Sequence, residues 1–333
     1  MLPTAITAAL VRMGLHDPAA PPPRGEPLAG GVSSDIWRVE CAAGPVCVKR
    51  ALPRLKVAAD WQAPVERNRY EARWMRRANA AMPGSAPGLL GEDATSGTLA
   101  MQYLPPDTYP LWKPKLHQGC TATGFAAAVG CKLARIHAAT AGDPAVAADF
   151  PTDSIFHAIR IEPYLLATAA RHPDRAEALR ALAEETAATR RALVHGDVSP
   201  KNILCGPAGP VFLDAECAWW GDPAFDLAFC LTHLLLKCLW TPRAATGFLS
   251  CYAALADAYL LRVHWEVAAA VEGRAARLLG GLLLARVDGK SPVEYITTEA
   301  DKSRVRRAAR ALLAHPAARL DAVAVAWREE LER

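Results

Sequence analysis

The chain has 333 residues, of which 52% are hydrophobic; that supports one large domain or two lobes with their own cores, and excludes a disordered or fibrous protein. Its 38 basic and 34 acidic residues nearly balance at +4, and no basic run interleaves with aromatics, so nucleic-acid binding is not expected. Nine scattered cysteines without a CxxC pair argue against a zinc site and read as buried thiols in a reducing, cytoplasmic setting.

Residues 1–11 are mildly apolar but lack a charged leader region and a true hydrophobic run, so they are expected to form a packing helix and not a signal peptide. A proline-rich connector covers 18–27. Three short strands should follow, from Leu28 onward, over 35–40 and over 45–50. The turn between the first two, Ala29-Gly30-Gly31-Val32-Ser33-Ser34-Asp35, has two adjacent glycines but no full GxGxxG. Lys49 ends the apolar third strand, Val46-Cys47-Val48-Lys49, and alone would pass for a solvated edge charge. A charged helical run over 65–79 contains Glu71, with Glu66 upstream. Two further strands, around Leu89-Leu90 and over 98–103, complete a five-stranded lobe with one helix. The prolines of Leu104-Pro105-Pro106 end the last strand, dividing the chain into residues 1–104 and 105–333.

Beyond this junction the pattern is mainly helical, with helices expected over 121–140, 174–191, 224–240, 244–261, 264–286, 302–314 and 316–331. The apolar run 231–239 is interrupted by His233 and Lys237, and 278–284 is too short to span a bilayer, so no membrane segment is expected. The most informative stretch is His195-Gly196-Asp197-Val198-Ser199-Pro200-Lys201-Asn202, followed by Asp214 after Val211-Phe212-Leu213. A protein-kinase catalytic loop has an Asp that takes the proton of the attacking hydroxyl, an Asn five positions later that holds magnesium, and a metal-binding Asp on a nearby strand. Asp197, Asn202 and Asp214 reproduce that order and spacing. An oxygen-rich pair suits a hard cation, which neutralises the phosphates of ATP while a fixed carboxylate orients the nucleophile. His195 is expected to anchor the loop, since Asp197 already fills the position of the base.

With that loop in place, the upstream residues acquire roles. Lys49 would reach the α- and β-phosphates of ATP, aligned by Glu71, and Gly31, Ser33 and Ser34 would lie near phosphate. Met101-Gln102-Tyr103-Leu104 would be the hinge that meets the adenine edge.

Over nearly its whole length the chain resembles the aminoglycoside phosphotransferase-like superfamily of small-molecule kinases, in which HGDxxxxN has Gly196 in place of the protein-kinase Arg. The resemblance implies an α+β, two-lobed protein-kinase-like fold, with a small five-stranded N-lobe and a larger, mainly helical C-lobe. It also implies phosphoryl transfer from ATP to a hydroxyl of a small molecule, with magnesium held by Asn202 and Asp214. Asp214-Ala215-Glu216, Val48-Lys49-Arg50-Ala51-Leu52-Pro53 and Tyr70-Glu71-Ala72 are similar to the methylthioribose kinase branch, which implies that Glu216 assists the metal. By the same likeness Asp226 would hydrogen-bond the catalytic-loop backbone, and Trp219 or Trp220 would wall the acceptor site.

For the acceptor, Arg286, Asp288 and Lys290 stand out as polar residues following a strongly apolar helix. An enzyme for polycationic aminoglycosides should carry a dense acidic cluster, whereas acids and bases are interspersed here; a neutral or anionic, sugar-like acceptor is favoured. The alternatives are an aminoglycoside phosphotransferase or a nucleotide-binding pseudokinase. Gly196 and the lack of an APE-type segment disfavour a protein kinase.

Overall fold

A computed structural model describes residues 2–28, 34–52 and 66–333. Its N-terminal part is an antiparallel sheet of β1 (Gly25–Pro27), β2 (Ser34–Cys41), β3 (Gly44–Ala51), β4 (Leu89–Asp93) and β5 (Thr98–Gln102), in the order β1-β2-β3-β5-β4. The first strand precedes Leu28 instead of beginning there. Gly25, Glu26 and Pro27 pair with Val39, Arg38 and Trp37 at the sheet edge, where a proline is tolerated.

Side-chain alternation decides how the sheet is covered. Val46 and Val48 of β3 join Val39 and Ala100 on one face, beneath Ile6 and Leu10 of α1 (Thr4–Arg12). Cys47 and Lys49 therefore point the other way, towards the helical part of the chain. Between β3 and β4 lies α2 (Arg67–Ala81), whose buried stripe carries Glu71 alongside Ala72, Trp74 and Met75.

The second part of the two-lobed fold is helical. It begins with α3 (Trp112–His117), α4 (Thr123–Thr140), α5 (Pro144–Asp149) and α6 (Asp153–Phe156). Alpha-helical α6 runs into a π-helical stretch, His157–Leu166, and then α7 (Ala167–Arg171). Pro163 lies inside that stretch and brings no N–H, and the Lys290 N–H bonds its carbonyl from outside at 2.9 Å. The long helices α8 (Ala176–Ala188), α9 (Pro223–Trp240), α10 (Ala245–Leu260), α11 (Ala268–Asp288), α12 (Glu299–Ala314) and α13 (Leu320–Leu331) follow the expected pattern, each starting at or within a few residues of its expected position. Helix α4 also follows the expected pattern, whereas the short helices α3, α5, α6 and α7 were not anticipated, since one or two turns leave too little periodicity to read.

By length and composition α9 is apolar enough to cross a membrane, yet 94% of it is buried inside the fold, where it serves as the central helix. Two antiparallel pairs, β6 (Ala192–Val194) with β9 (Trp219–Gly221) and β7 (Ile203–Gly206) with β8 (Gly209–Phe212), frame the segment between 195 and 214. All nine cysteines are free thiols, but only Cys217, Cys230, Cys238 and Cys251 are buried, which corrects the expectation that all would be.

Helices α4 and α10 approach most closely at Gly130, where an added Cβ would lie 2.2 Å from the Leu255 carbonyl oxygen. Gly130→Ala must separate the two backbones and should cost about 1–3 kcal/mol by urea denaturation. At Gly124 of the same helix, where nothing lies within 4 Å, Ala should instead stabilise by up to about 1 kcal/mol.

Candidate active site

The segment from His195 to Asn202 is hung on a carboxylate from α9. Asp226, fully buried, accepts the backbone N–H groups of His195 and Gly196, each at 2.7 Å. His137 of α4 lies 3.2 Å from the same carboxylate through Nε2, and its Nδ1 meets the Tyr259 hydroxyl at 2.8 Å. Asp226 thus has the backbone role expected of it. His195 completes the turn: Nε2 donates to the Leu213 carbonyl at 3.1 Å and Nδ1 accepts the Asp197 N–H at 3.1 Å. Burial pushes this imidazole below its ordinary pKa, in keeping with a neutral ring that joins the two arms of the site. Gly196 has φ +82°, and a Cβ there would lie 2.7 Å from that of Cys217, so the position excludes side chains twice over.

Asp197 is buried and anchored through one oxygen. Its Oδ2 meets an Arg160 guanidinium nitrogen at 3.0 Å and Lys201 Nζ at 3.2 Å. Arg160 comes from the π-helical stretch, donates to the Gly196 carbonyl, and lies over the rings of Tyr164 and Phe229. Among the described residues, Asp197 Oδ1 accepts no hydrogen bond, which leaves it for an incoming hydroxyl. Five residues on, Asn202 Nδ2 donates to the Asp197 carbonyl at 3.1 Å.

Across the cleft Lys49 Nζ bonds Glu71 at 2.7 Å and also contacts Asp214. Burial opposes a charge on this amine, but Asp214 and Glu71 together hold its pKa well above the ordinary lysine value. Asp214 experiences the converse: burial raises its pKa, yet Lys49 and Lys201 hold it below the usual carboxylate range. Glu71, more deeply enclosed, is pushed upward by burial against the pull of Lys49. Asp214 is the one described non-glycine residue with positive φ, 67°, a conformation that costs about 1–3 kcal/mol and turns its carboxylate into the cleft.

Asn202 and Asp214 satisfy the chemistry of a magnesium site. The hydrogen bond from Nδ2 fixes the Asn202 amide so that Oδ1 is left over, and Asp214 adds a carboxylate; both are hard oxygen donors. Glu216, expected to assist the metal, makes an ion pair of its own. Its carboxylate lies 2.9 Å from Nε of Arg67, a fully buried residue of α2 that also bonds the Leu52 carbonyl at 2.7 Å, so Glu216 ties α2 to the segment after Asp214.

Lys49, Glu71, Asn202 and Asp214 line one cavity of about 710 Å³ between the two parts of the fold, a volume suited to a cofactor-sized ligand. Met101, Gln102 and Tyr103, expected at the hinge, also line it. Ser34 reaches it too, with a buried hydroxyl that has no hydrogen-bond partner among the described residues. Gly31 and Ser33 lie outside the described residues.

The expected acceptor residues separate. Arg286 is buried at the end of α11, where it bonds the Tyr164 hydroxyl at 3.0 Å and lines a small hollow beside the catalytic loop. Asp288 instead pairs with His172 and Arg306, at 2.9 and 2.8 Å, and Lys290 pairs with Glu162 at 2.7 Å. Trp219 does not wall a pocket: its indole donates to Asp153 at 2.6 Å, stacks on Phe156 and folds over Gly221. Neither Trp219 nor Trp220 lines either cavity. Arg160, Lys201 and Arg67 escaped the sequence reading. Lys201 is four residues from Asp197, a spacing that was available to read; Arg160 and Arg67 come from distant elements and belong to no motif.

Residues 24–270 match the sequence model of the phosphotransferase enzyme family. No curated protein matches the chain by sequence. Among solved structures, an amicoumacin kinase in complex with AMP-PNP, Ca2+ and Ami is similar at 15% identity over 92% of each chain, with a TM-score of 0.52. An aminoglycoside phosphotransferase from Alicyclobacillus acidocaldarius is similar at 16% identity over 100% of this chain and 97% of its own, with a TM-score of 0.48. For a choline/ethanolamine kinase family protein from Mesorhizobium loti the values are 18%, 93% of each chain and 0.47.

Asp226→Asn replaces an acceptor with an amide that faces donors on every side. It should cost about 2–4 kcal/mol in denaturant titrations, with hydrogen exchange accelerated at the amides of His195 and Gly196.

Proposed function

The chain belongs to the phosphotransferase enzyme family, and we propose that it is a magnesium-dependent kinase that transfers the γ-phosphoryl group of ATP to a hydroxyl of a small metabolite. The observation that carries this reading is the state of Asp197: Oδ2 is pinned by Arg160 and Lys201, and Oδ1 is unengaged beside a cavity lined by Lys49, Asn202 and Asp214.

In this reading residues 1–104 form the nucleotide lobe and residues 105–333 the acceptor lobe. Met101, Gln102 and Tyr103 border the adenine, Lys49 meets the nonreacting phosphates, and Ser34 donates its hydroxyl to phosphate. Glu71 keeps Lys49 directed into the cleft while Asp214 turns to the metal. Asn202 and Asp214 would hold magnesium, which would supply the positive charge that neutralises the phosphate oxygens. Asp197 Oδ1 orients the acceptor hydroxyl and takes its proton as the new O–P bond forms and the bond to the β-phosphate oxygen breaks. ADP departs with that electron pair. Arg160 and Lys201 act as positioning residues, since they touch the base and hold its unused oxygen. A noncatalytic nucleotide binder would have no use for a base anchored this way.

Asp197→Asn should lower kcat by about 10²–10⁴ with an accepted substrate, leaving the AMP-PNP dissociation constant within about twofold of wild type. An ADP-release assay over a panel of hydroxyl metabolites, run beside calorimetric AMP-PNP titration, checks both. Turnover unchanged by this substitution would refute the assignment of the base.

A further inference from the structure

A second hollow, of about 20 Å³, shares Lys201 with the larger cavity. It is lined by Lys113 of α3, Lys201 of the catalytic loop, His233 and Lys237 of α9, and Arg286 of α11, with Glu294 as its one acid. His233 and Lys237 are four residues apart and share one helix face. Glu294 is already paired with Lys113 at the rim and is 64% exposed. The interior of the hollow therefore has basic groups without an acid of its own.

Lys237 is the telling member. It is 1% exposed, and its Nζ has no hydrogen-bond acceptor among the described residues. It lies 3.4 Å from the ring centre of Tyr295 and 3.9 Å from that of Trp240, which cradle an ammonium but accept no conventional hydrogen bond. Arg286 Nε is likewise buried without an acceptor. Leaving such donors unsatisfied is costly, and an acceptor from outside the chain would remove that cost. Burial, with Lys113 and Arg286 nearby and only Glu294 opposing them, pushes the Lys237 pKa down to about 6. A neighbouring anion would restore the proton.

We propose that the acceptor is a hydroxycarboxylic acid, whose carboxylate enters this hollow against Lys237 and Arg286 while its hydroxyl meets Asp197. This rests on the kinase reading and adds the chemical class of the substrate. The link between the two points is Lys201, which lines the hollow and has its Nζ 3.2 Å from Asp197 Oδ2. The hollow admits about one water-sized group, which suits a carboxylate oxygen and leaves the body of the acceptor outside, between hollow and base.

The test uses matched pairs that differ by a carboxylate: glycerate and glycerol, glucuronate and glucose, serine and ethanolamine. Transfer is followed by ADP release for wild type, Lys237→Met and Lys113→Ala, and binding by calorimetry with AMP-PNP present. Methionine fills the space of the lysine without its amine, and Lys113 sits at the rim, so at least one variant should fold. In at least one pair the acid should be preferred by about tenfold or more in kcat/KM, and Lys237→Met should raise its KM by about tenfold or more without changing AMP-PNP affinity. A phosphate-bearing analogue, glycerol 3-phosphate, replacing every acid as the substrate would overturn the carboxylate assignment. Transfer to neutral or cationic members alone, indifferent to both variants, would overturn the inference and leave the kinase reading intact. If no acceptor turns over, absence of calorimetric binding by all three acids, or equal binding by Lys237→Met, likewise overturns it. Failure of the kinase reading is recognised separately, by AMP-PNP not binding to the wild-type protein.

Discussion

The ammonium of Lys49 is the contact on which the arrangement of the cleft depends. It comes from β3, bonds Glu71 on α2, and contacts Asp214 on the far side of the cleft, so one charge ties sheet, helix and catalytic segment together. A buried lysine is tolerated only where its charge is answered, and here two carboxylates, Glu71 and Asp214, share that task. The same contact accounts for two further features. Glu71 lies on the apolar stripe of α2, where a carboxylate alone would be expensive, and Asp214 adopts a left-handed conformation that directs its side chain inward. Arg67 and Glu216 add a link one turn away, so α2 is held to the segment around Asp214 directly by one ion pair and indirectly through Lys49.

On the other side, the base is placed by a chain of buried polar contacts that begins in the helical part. Tyr259 bonds His137, His137 meets Asp226, and Asp226 holds the backbone of His195 and Gly196. Every member is paired, which is what allows such a network to be rigid and not a liability. Asp197 thus inherits its position from α4, α9 and α10, while Lys49, across the cleft, belongs to the sheet. The two halves bring separate halves of the chemistry to one cleft.

Much of this was legible because it is encoded locally. Asp197, Asn202 and Asp214 lie on one continuous stretch whose spacing reflects a single loop and the strands that frame it, and Lys49 ends a strand whose alternation is plain. The residues that were missed or misplaced depend on partners far along the chain. Arg160 lies in an apolar run with no motif, and only the fold carries it to Asp197. Asp288 follows an apolar helix and looked like an open polar turn, but His172 and Arg306 converge on it. Trp219 sits beside the metal segment in sequence, while strand alternation and the absence of a side chain at Gly221 let its ring fold inward. Adjacent sequence is a poor guide to which face of a short strand is open.

His233 and Lys237 illustrate the same limit from the opposite direction. As sequence they are two interruptions of an apolar helix, useful only for arguing that it does not span a membrane. In the fold they sit on one face of the central helix, beside Arg286 and Lys113, and convert a near-neutral chain into a locally basic site. Net charge averages over the surface, whereas recognition depends on the field at a few buried atoms. In the proposed reading acceptor charge is selected by side chains on α9 and α11, elements other than the loop that carries Asp197, with Lys201 touching both the hollow and that carboxylate.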